Sequence, residues 1–251
     1  MKRLLVLALF SALAMGQAGA QTVDLHNFSV SYVSRARGLD AGEVSYTFAV
    51  DNRAYQATSE RRLTGMARMF LHNTQDFDYA ARGAIGEDGV VEPQSYQHQD
   101  YGKRHRLVRV TFAGDQVITV AAPPMGMGHP PATPEQKRGT IDQVSLLLQM
   151  LVARGDPCRQ TYHVFMDGRS RFDLVLTPNG HQQVSFAGYH GAVDRCVAAY
   201  QPIAGFGNPQ QPAQLTFMFA HVGAYAVPVS IEMPTDAVGI VQLQVQSFHL
   251  S

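Results

Sequence analysis

Two stretches carry side chains whose types and spacing suit chemistry. In CRQTYHVFMDGRSRFDL, Cys158 to Leu174, a return strand after Asp167-Gly168 puts Arg169, Arg171 and Asp173 on the face opposite Phe172 and Leu174. Guanidinium forks match phosphate or carboxylate, so this face is a candidate anionic head-group site; a surface ion-pair ladder is the alternative. In PPMGMGHPP, Pro123 to Pro131, Met125, Met127 and His129 are the soft and borderline ligands that copper(I) favours. They supply at most three donors from a glycine-containing loop, and the competing reading is a flexible cover over one mouth of a curled sheet, with methionine filling gaps.

Little else suits catalysis. Asp76 and Asp78 in DFD share a strand face as a general acid and base would, but alternate acids on a solvated strand edge look the same. Neither GxSxG nor HExxH occurs, nor GxxxxGK or GxGxxG. The ten histidines lack metal-ligand spacing; His181 and His190 only flank a predicted strand. No enzyme activity and no cofactor are expected.

The elements that must position these residues are strands. Val44, Tyr46, Phe48 and Val50 alternate with Glu43, Ser45 and Thr47, as a half-buried antiparallel strand requires. The same period recurs around Val108, Val110 and Phe112; through Phe172, Leu174 and Leu176; through Leu215, Phe217 and Phe219; and through Val241, Leu243 and Val245. Turn signals at Asp51-Asn52, Asp88-Gly89, Gly114-Asp115, Asp167-Gly168 and Asn179-Gly180 separate them, so consecutive strands should pair. Thr140 to Gln143 reads as a capping box, and Ile141, Val144, Leu147, Leu148 and Leu151 recur at helical spacing before Gly155 and Pro157 stop the pattern. The expected fold is mainly β: a curved antiparallel meander of about a dozen strands, a half-barrel or spiral sheet, wrapped around one main α-helix. Residues 121–139, crowded with proline and glycine, should be a loop joining two halves of one domain spanning 21–251.

The chain opens MKRLLVLALFSALAMGQAGAQ, two cations and an apolar run ending in small residues, which predicts a signal peptide over 1–20 with cleavage after Ala20. The run is too short to span a membrane, and no later window does so. Removing Lys2 and Arg3 from 20 basic and 20 acidic residues leaves 18 against 20, so bulk charge draws the protein to neither nucleic acid nor anionic lipid. The basic run Lys103 to Arg106 reads as the solvated end of a hairpin. In an exported chain, the two cysteines, Cys158 and Cys196, are simplest as one structural disulfide worth about 4 kcal/mol.

DPC before a strand, FMDGRSRFDL, RC in VDRCVAAY, QPIAGF and the closing VPVSIEMPTDAVGIVQL resemble the periplasmic family catalogued as domain of unknown function 3108. SYVSRARGLDAGEVSYTF and GTIDQVSLLLQMLV extend the resemblance over most of the mature chain. It implies a periplasmic β protein with Cys158 and Cys196 paired, in a curved sheet similar to lipoprotein carriers and envelope-integrity proteins; it carries no catalytic residues. Two functions are expected of such a fold. One is a concavity that binds an amphiphile or envelope glycan, with Arg169 and Arg171 at the head group; the other is a structural or protein-interaction factor of the envelope that needs no small ligand. A hydrolase would require a buried histidine paired with a carboxylate beside an exposed Ser or Asp.

Overall fold

A computed structural model describes residues 27–64, 76–102, 104–235 and 239–251. The predicted signal peptide and Lys103 lie outside the described residues. Thirteen strands form one unclosed antiparallel sheet among them. The first seven are β1 (Asn27–Ala36), β2 (Leu39–Asp51), β3 (Ala54–Leu63), β4 (Phe77–Ile85), β5 (Val91–Asp100), β6 (Leu107–Ala113) and β7 (Gln116–Ala122). After two helices come β8 (Thr161–Met166), β9 (Ser170–Phe186), β10 (Tyr189–Ala204), β11 (Ala213–Val222), β12 (Tyr225–Thr235) and β13 (Gly239–Leu250).

Every neighbour in the sheet is also a neighbour in sequence, with one exception: β1 pairs with β13, from Phe28 opposite Leu250 to Ala36 opposite Val241. Two meanders are thus sewn together along a seam between the first and last strands, and β7 and β8 become the outer edges. Both helices lie in the stretch of chain that connects those edges.

Alternation places the core as expected. Phe48 is fully buried and Val44 nearly so, while Glu43, Ser45 and Thr47 on the same strand are outside or partly exposed. The turn signals also hold, apart from Asn179-Gly180. Asn52 and Arg53 both take positive φ, the type I′ pattern that matches strand twist. Asn179 and Gly180 instead lie within β9, opposite Arg195 alone, because β10 pairs Asp194 with His181 and Cys196 with Pro178. The positive φ of Gly180 is absorbed as a bulge, and the strand runs on to Phe186.

The helical segment begins later than the capping-box pattern predicts. Ile141 forms a bridge with Val164: its N–H donates to the His163 carbonyl and its own carbonyl accepts from Phe165 N–H, both at 2.9 Å. It is therefore extended, and Asp142 caps the helix instead. A separate capping box, Thr133 with Gln136, starts a short helix α1 (Pro134–Lys137). The main helix, α2 (Gln143–Val152), stops at Ala153.

Contacts of α2 reach β3, β4 and β5 in one half of the sheet and β8 and β12 in the other. Val144, Leu148 and Leu151 are fully buried, which at full burial contributes about 2 kcal/mol each. One apolar cluster gathers these with Phe28, Phe48 and Phe165; a second gathers Met150 and Ile141 with Tyr162, Phe172, Phe217 and the two cysteines. Cys158 and Cys196 stand 5.2 Å apart at Cα and are paired, fastening the approach to β8 onto β10.

The proline- and glycine-rich connection is tethered rather than a flexible cover. Arg106 donates to the carbonyls of Pro123 and Pro124, at 3.0 and 3.2 Å. Further along, His129 N–H donates to Phe206 and Gly205 N–H to Pro130. A Cβ on Gly128 would lie 2.1 Å from the Gly205 carbonyl carbon, an approach only glycine permits.

Candidate functional site

The densest buried polar arrangement surrounds the first turn of α2. Asp142 is fully buried and accepts from the backbone N–H groups of Val144 and Ser145, both 2.9 Å, and from Ser145 Oγ at 2.6 Å. Burial pushes its carboxyl up to about 6, opposed by those donors. Ser145 Oγ is also 2.6 Å from the hydroxyl of Tyr55 on β3. A helix start is thereby bonded to the wall it packs on.

One residue on, Gln143 reaches the opposite way. Its amide donates to the Tyr96 hydroxyl and to Asp167 Oδ1, each 2.6 Å, and its carbonyl accepts from Asp167 N–H at 3.2 Å. Tyr96 donates to the same Asp167 oxygen at 3.2 Å. Asp167 belongs to the β8–β9 turn, whereas Tyr96 is on β5. His98 follows Tyr96 on the inward face, its ring 5.0 Å from that of Phe77 and 5.1 Å from that of Tyr79. His98 Nδ1 lies 3.5 Å from Asp167 Oδ1, yet neither ring nitrogen has a hydrogen bond among the described residues. Burial holds the imidazole below its usual range, against the pull of Asp167 and Asp100.

The turn that carries Asp167 is packed against the far edge of the sheet. A Cβ on Gly168 would lie 2.8 Å from side-chain carbons of both Val108 and Thr119, and Thr119 Oγ1 donates to the Gly168 carbonyl at 2.8 Å. Lys137 of α1 donates to Val117 on β7 and lies over the ring of Phe165 on β8. Side chains and one tight turn thus bridge β7 and β8, which no ladder joins.

A buried histidine beside a carboxylate is half of a general-base arrangement. No hydroxyl or thiol among the described residues hydrogen-bonds His98. Among the described residues no group of three His, Cys, Asp or Glu is arranged to hold a metal. The network's geometry is that of a lock between helix, strand and turn.

The residues picked out by strand alternation fare differently. Arg171 is buried: it donates to the Gln136 carbonyl from Nε at 2.6 Å, to the Phe172 carbonyl at 2.5 Å and to Asp173 Oδ1 at 2.6 Å. Asp173 also meets His163 Nδ1 at 2.6 Å, and its carboxyl sits below the usual range because His163 and Arg171 outweigh burial. Arg169 precedes the strand, half-buried in the turn, with its carbonyl against Gly205. The three do not form an open anion site: Arg171 is engaged by the Gln136 and Phe172 carbonyls and by Asp173. Met125 packs on the main core and His129 is exposed. Asp78 pairs with Arg62 at 2.5 Å and accepts from Tyr101 at 2.7 Å, while Asp76 accepts from Leu63 N–H.

Two arrangements escape sequence reasoning. One is the Gln143–Tyr96–Asp167–His98 network. The other links three adjacent strands: Asp194 on β10 accepts from His181 on β9 at 2.6 Å and from His221 on β11 at 2.7 Å. The two imidazoles, working against burial, keep the Asp194 carboxyl below its usual range. The period-two pattern marks His98 as inward-facing, but nothing local marks Asp167 as its neighbour.

Fold and network define a single-sheet β protein whose edges are bridged by packing. The chain belongs to the family described as "Protein of unknown function (DUF3108)", whose model matches residues 27–246. No curated protein matches it. A solved structure, described as a beta-barrel-like protein of domain of unknown function DUF1849 from Brucella abortus, is similar at 10% identity with a TM-score of 0.48, covering 90% of this chain and 98% of that one.

Proposed function

We propose that this protein is a non-enzymatic, exported cell-envelope factor that works through its outer surfaces. The observation that carries this reading is the position of α2. Its apolar side chains are buried in two clusters that draw on both halves of the sheet, which supports reading the helix as a plug about which the sheet curls. An amphiphile held inside the sheet would need the volume the helix occupies. Among the described residues, grooves of about 530 Å³ over β3 to β6, about 400 Å³ at the rim beside Val91 and Ile141, and about 500 Å³ between Arg35 and Ile240 lie away from the helix-filled interior. Export is supported by the apolar N-terminal run and by the disulfide, which persists in oxidising compartments. Among the described residues no helix is long and apolar enough to cross a membrane.

Native mass spectrometry of the protein extracted from the periplasm tests this. The expected spectrum is that of the disulfide-bonded chain without lipid. A stoichiometric lipid adduct that survives extraction, or absence of the protein from the periplasmic fraction, would overturn the proposal.

A further inference from the structure

The groove over β3 to β6 lies on the solvent side of the wall, and the strand registers fix which side chains face each other across it. One row runs Gln56, Arg82, Ser95, Thr111 from β3 to β6. The next outward row, two residues along, runs Thr58, Ala80, Gln97, Arg109. All eight line the same groove of about 530 Å³. Ala80 leaves the depression, and a bulge between Arg82 and Gly83 bends the wall beside it.

Charge is arranged in bands. No acid lines the groove, and its two cations stand on alternate strands, Arg82 on β4 and Arg109 on β6. Two strand spacings and two residues of rise separate them by about 12 Å. The row beyond Thr58 and Ala80 carries Glu60 and Asp78, both engaged by Arg62; the row on the other side carries Asp51 and Glu92. Arg82 donates to Ser95 Oγ at 2.9 Å, and Arg109 has no partner among the described residues. Two guanidinium forks thus sit in a bed of hydroxyls and amides between acidic margins.

Three features select the occupant. Strands β3 to β6 are paired on both sides, so no backbone edge is open to add a peptide strand. Tyr96 contributes to the floor but its ring is buried inward, so no aromatic face is offered for stacking. The side chains present suit a ligand with many hydroxyls and a few anionic groups, because guanidinium binds carboxylate bidentately while Gln, Thr and Ser bond hydroxyls. The acidic margins repel a densely charged polyanion such as nucleic acid.

We infer that the outer groove formed by Gln56, Thr58, Arg82, Ser95, Gln97 and Arg109 binds an acidic oligosaccharide, with Arg82 and Arg109 holding two carboxylates about 12 Å apart. The inference rests on the reading that the protein acts through its outer surfaces.

Binding of tetragalacturonic acid to the mature protein is measured by calorimetry and by amide NMR shifts, with its methyl ester as the uncharged control and inorganic phosphate as a bare anion. The acid should bind at least about tenfold more tightly than the ester, with shifts confined to β3–β6 and weakening as salt is raised. Arg82→Gln and Arg109→Gln, both at exposed positions, should each lower affinity about fivefold or more without moving the melting temperature; Arg53→Gln, outside the groove, should not. Equal binding of acid and ester, binding of phosphate as tight as the tetramer, or indifference to both arginine variants would overturn the inference. Photo-crosslinking from Thr58 and Thr111 in cells separates the two proposals. A protein captured there would sink the saccharide and leave the outer-surface reading standing, whereas a lipid adduct in the periplasmic protein would sink that reading itself.

Discussion

His98, buried on β5, and Asp167, partly exposed in the β8–β9 turn, approach to 3.5 Å, although β5 and β8 lie toward opposite ends of a thirteen-stranded sheet. The approach, which is not a hydrogen bond, brings the two halves of the sheet together, and what it contributes depends on protonation.

Because burial lowers the His98 pKa, the unfolded chain binds the proton more readily than the folded one. Stability contributed by neutral His98 is full above the unfolded value near 6.5 and falls as pH drops toward the depressed folded value. Asp142 acts in the opposite sense: raised to about 6, it favours folding as pH falls below 6. Urea midpoints from pH 8 to 5 should therefore fall less steeply with acid in His98→Phe than in wild type. In Asp142→Asn they should fall more steeply. Parallel curves for His98→Phe and wild type would refute the role given to His98.

Gly168 adopts φ +70° with its α-carbon pressed toward Val108 and Thr119. Gly168→Ala adds both backbone strain and overlap, a loss of about 2 kcal/mol or more. Hydrogen exchange should accelerate at β6 and β7 as well as in the turn itself. Acceleration limited to the turn would mean the two edges are not coupled.

Arg171 and Arg169 should separate cleanly. Arg171→Met leaves two backbone carbonyls without their donor and Asp173 with His163 alone, which costs about 3 kcal/mol. Arg169→Gln should cost under about 1 kcal/mol. Thermal melts of both variants measure this, and equal losses would contradict the assignment of Arg171 to the interior.

The disulfide closes a separation of 38 residues, worth about 4 kcal/mol in the chain-entropy model. Reduction, or Cys158→Ala with Cys196→Ala, should lower the melting temperature by several degrees. An unchanged melt would show that the second apolar cluster holds β8 and β10 together unaided.

The sequence alone determined the strands, most turns, the helix and the cysteine pair, because each depends on neighbours in the chain. Alternation of Val44, Tyr46, Phe48 and Val50 needs only the geometry of an extended backbone, and Asp167-Gly168 needs only tolerance of positive φ. The same local logic placed Arg169, Arg171 and Asp173 near one another without saying that Arg171 would be buried and bonded to Gln136 of α1. Only the tertiary structure decided that β1 is sewn to β13, that Asp142 rather than Thr140 caps the helix, and that His98 faces Asp167. Those outcomes come from how a twisted sheet curls and which distant surfaces then touch. Hydrogen bonds to Gln143 and Tyr96 made Asp167 a lock, and burial made Arg171 a strut.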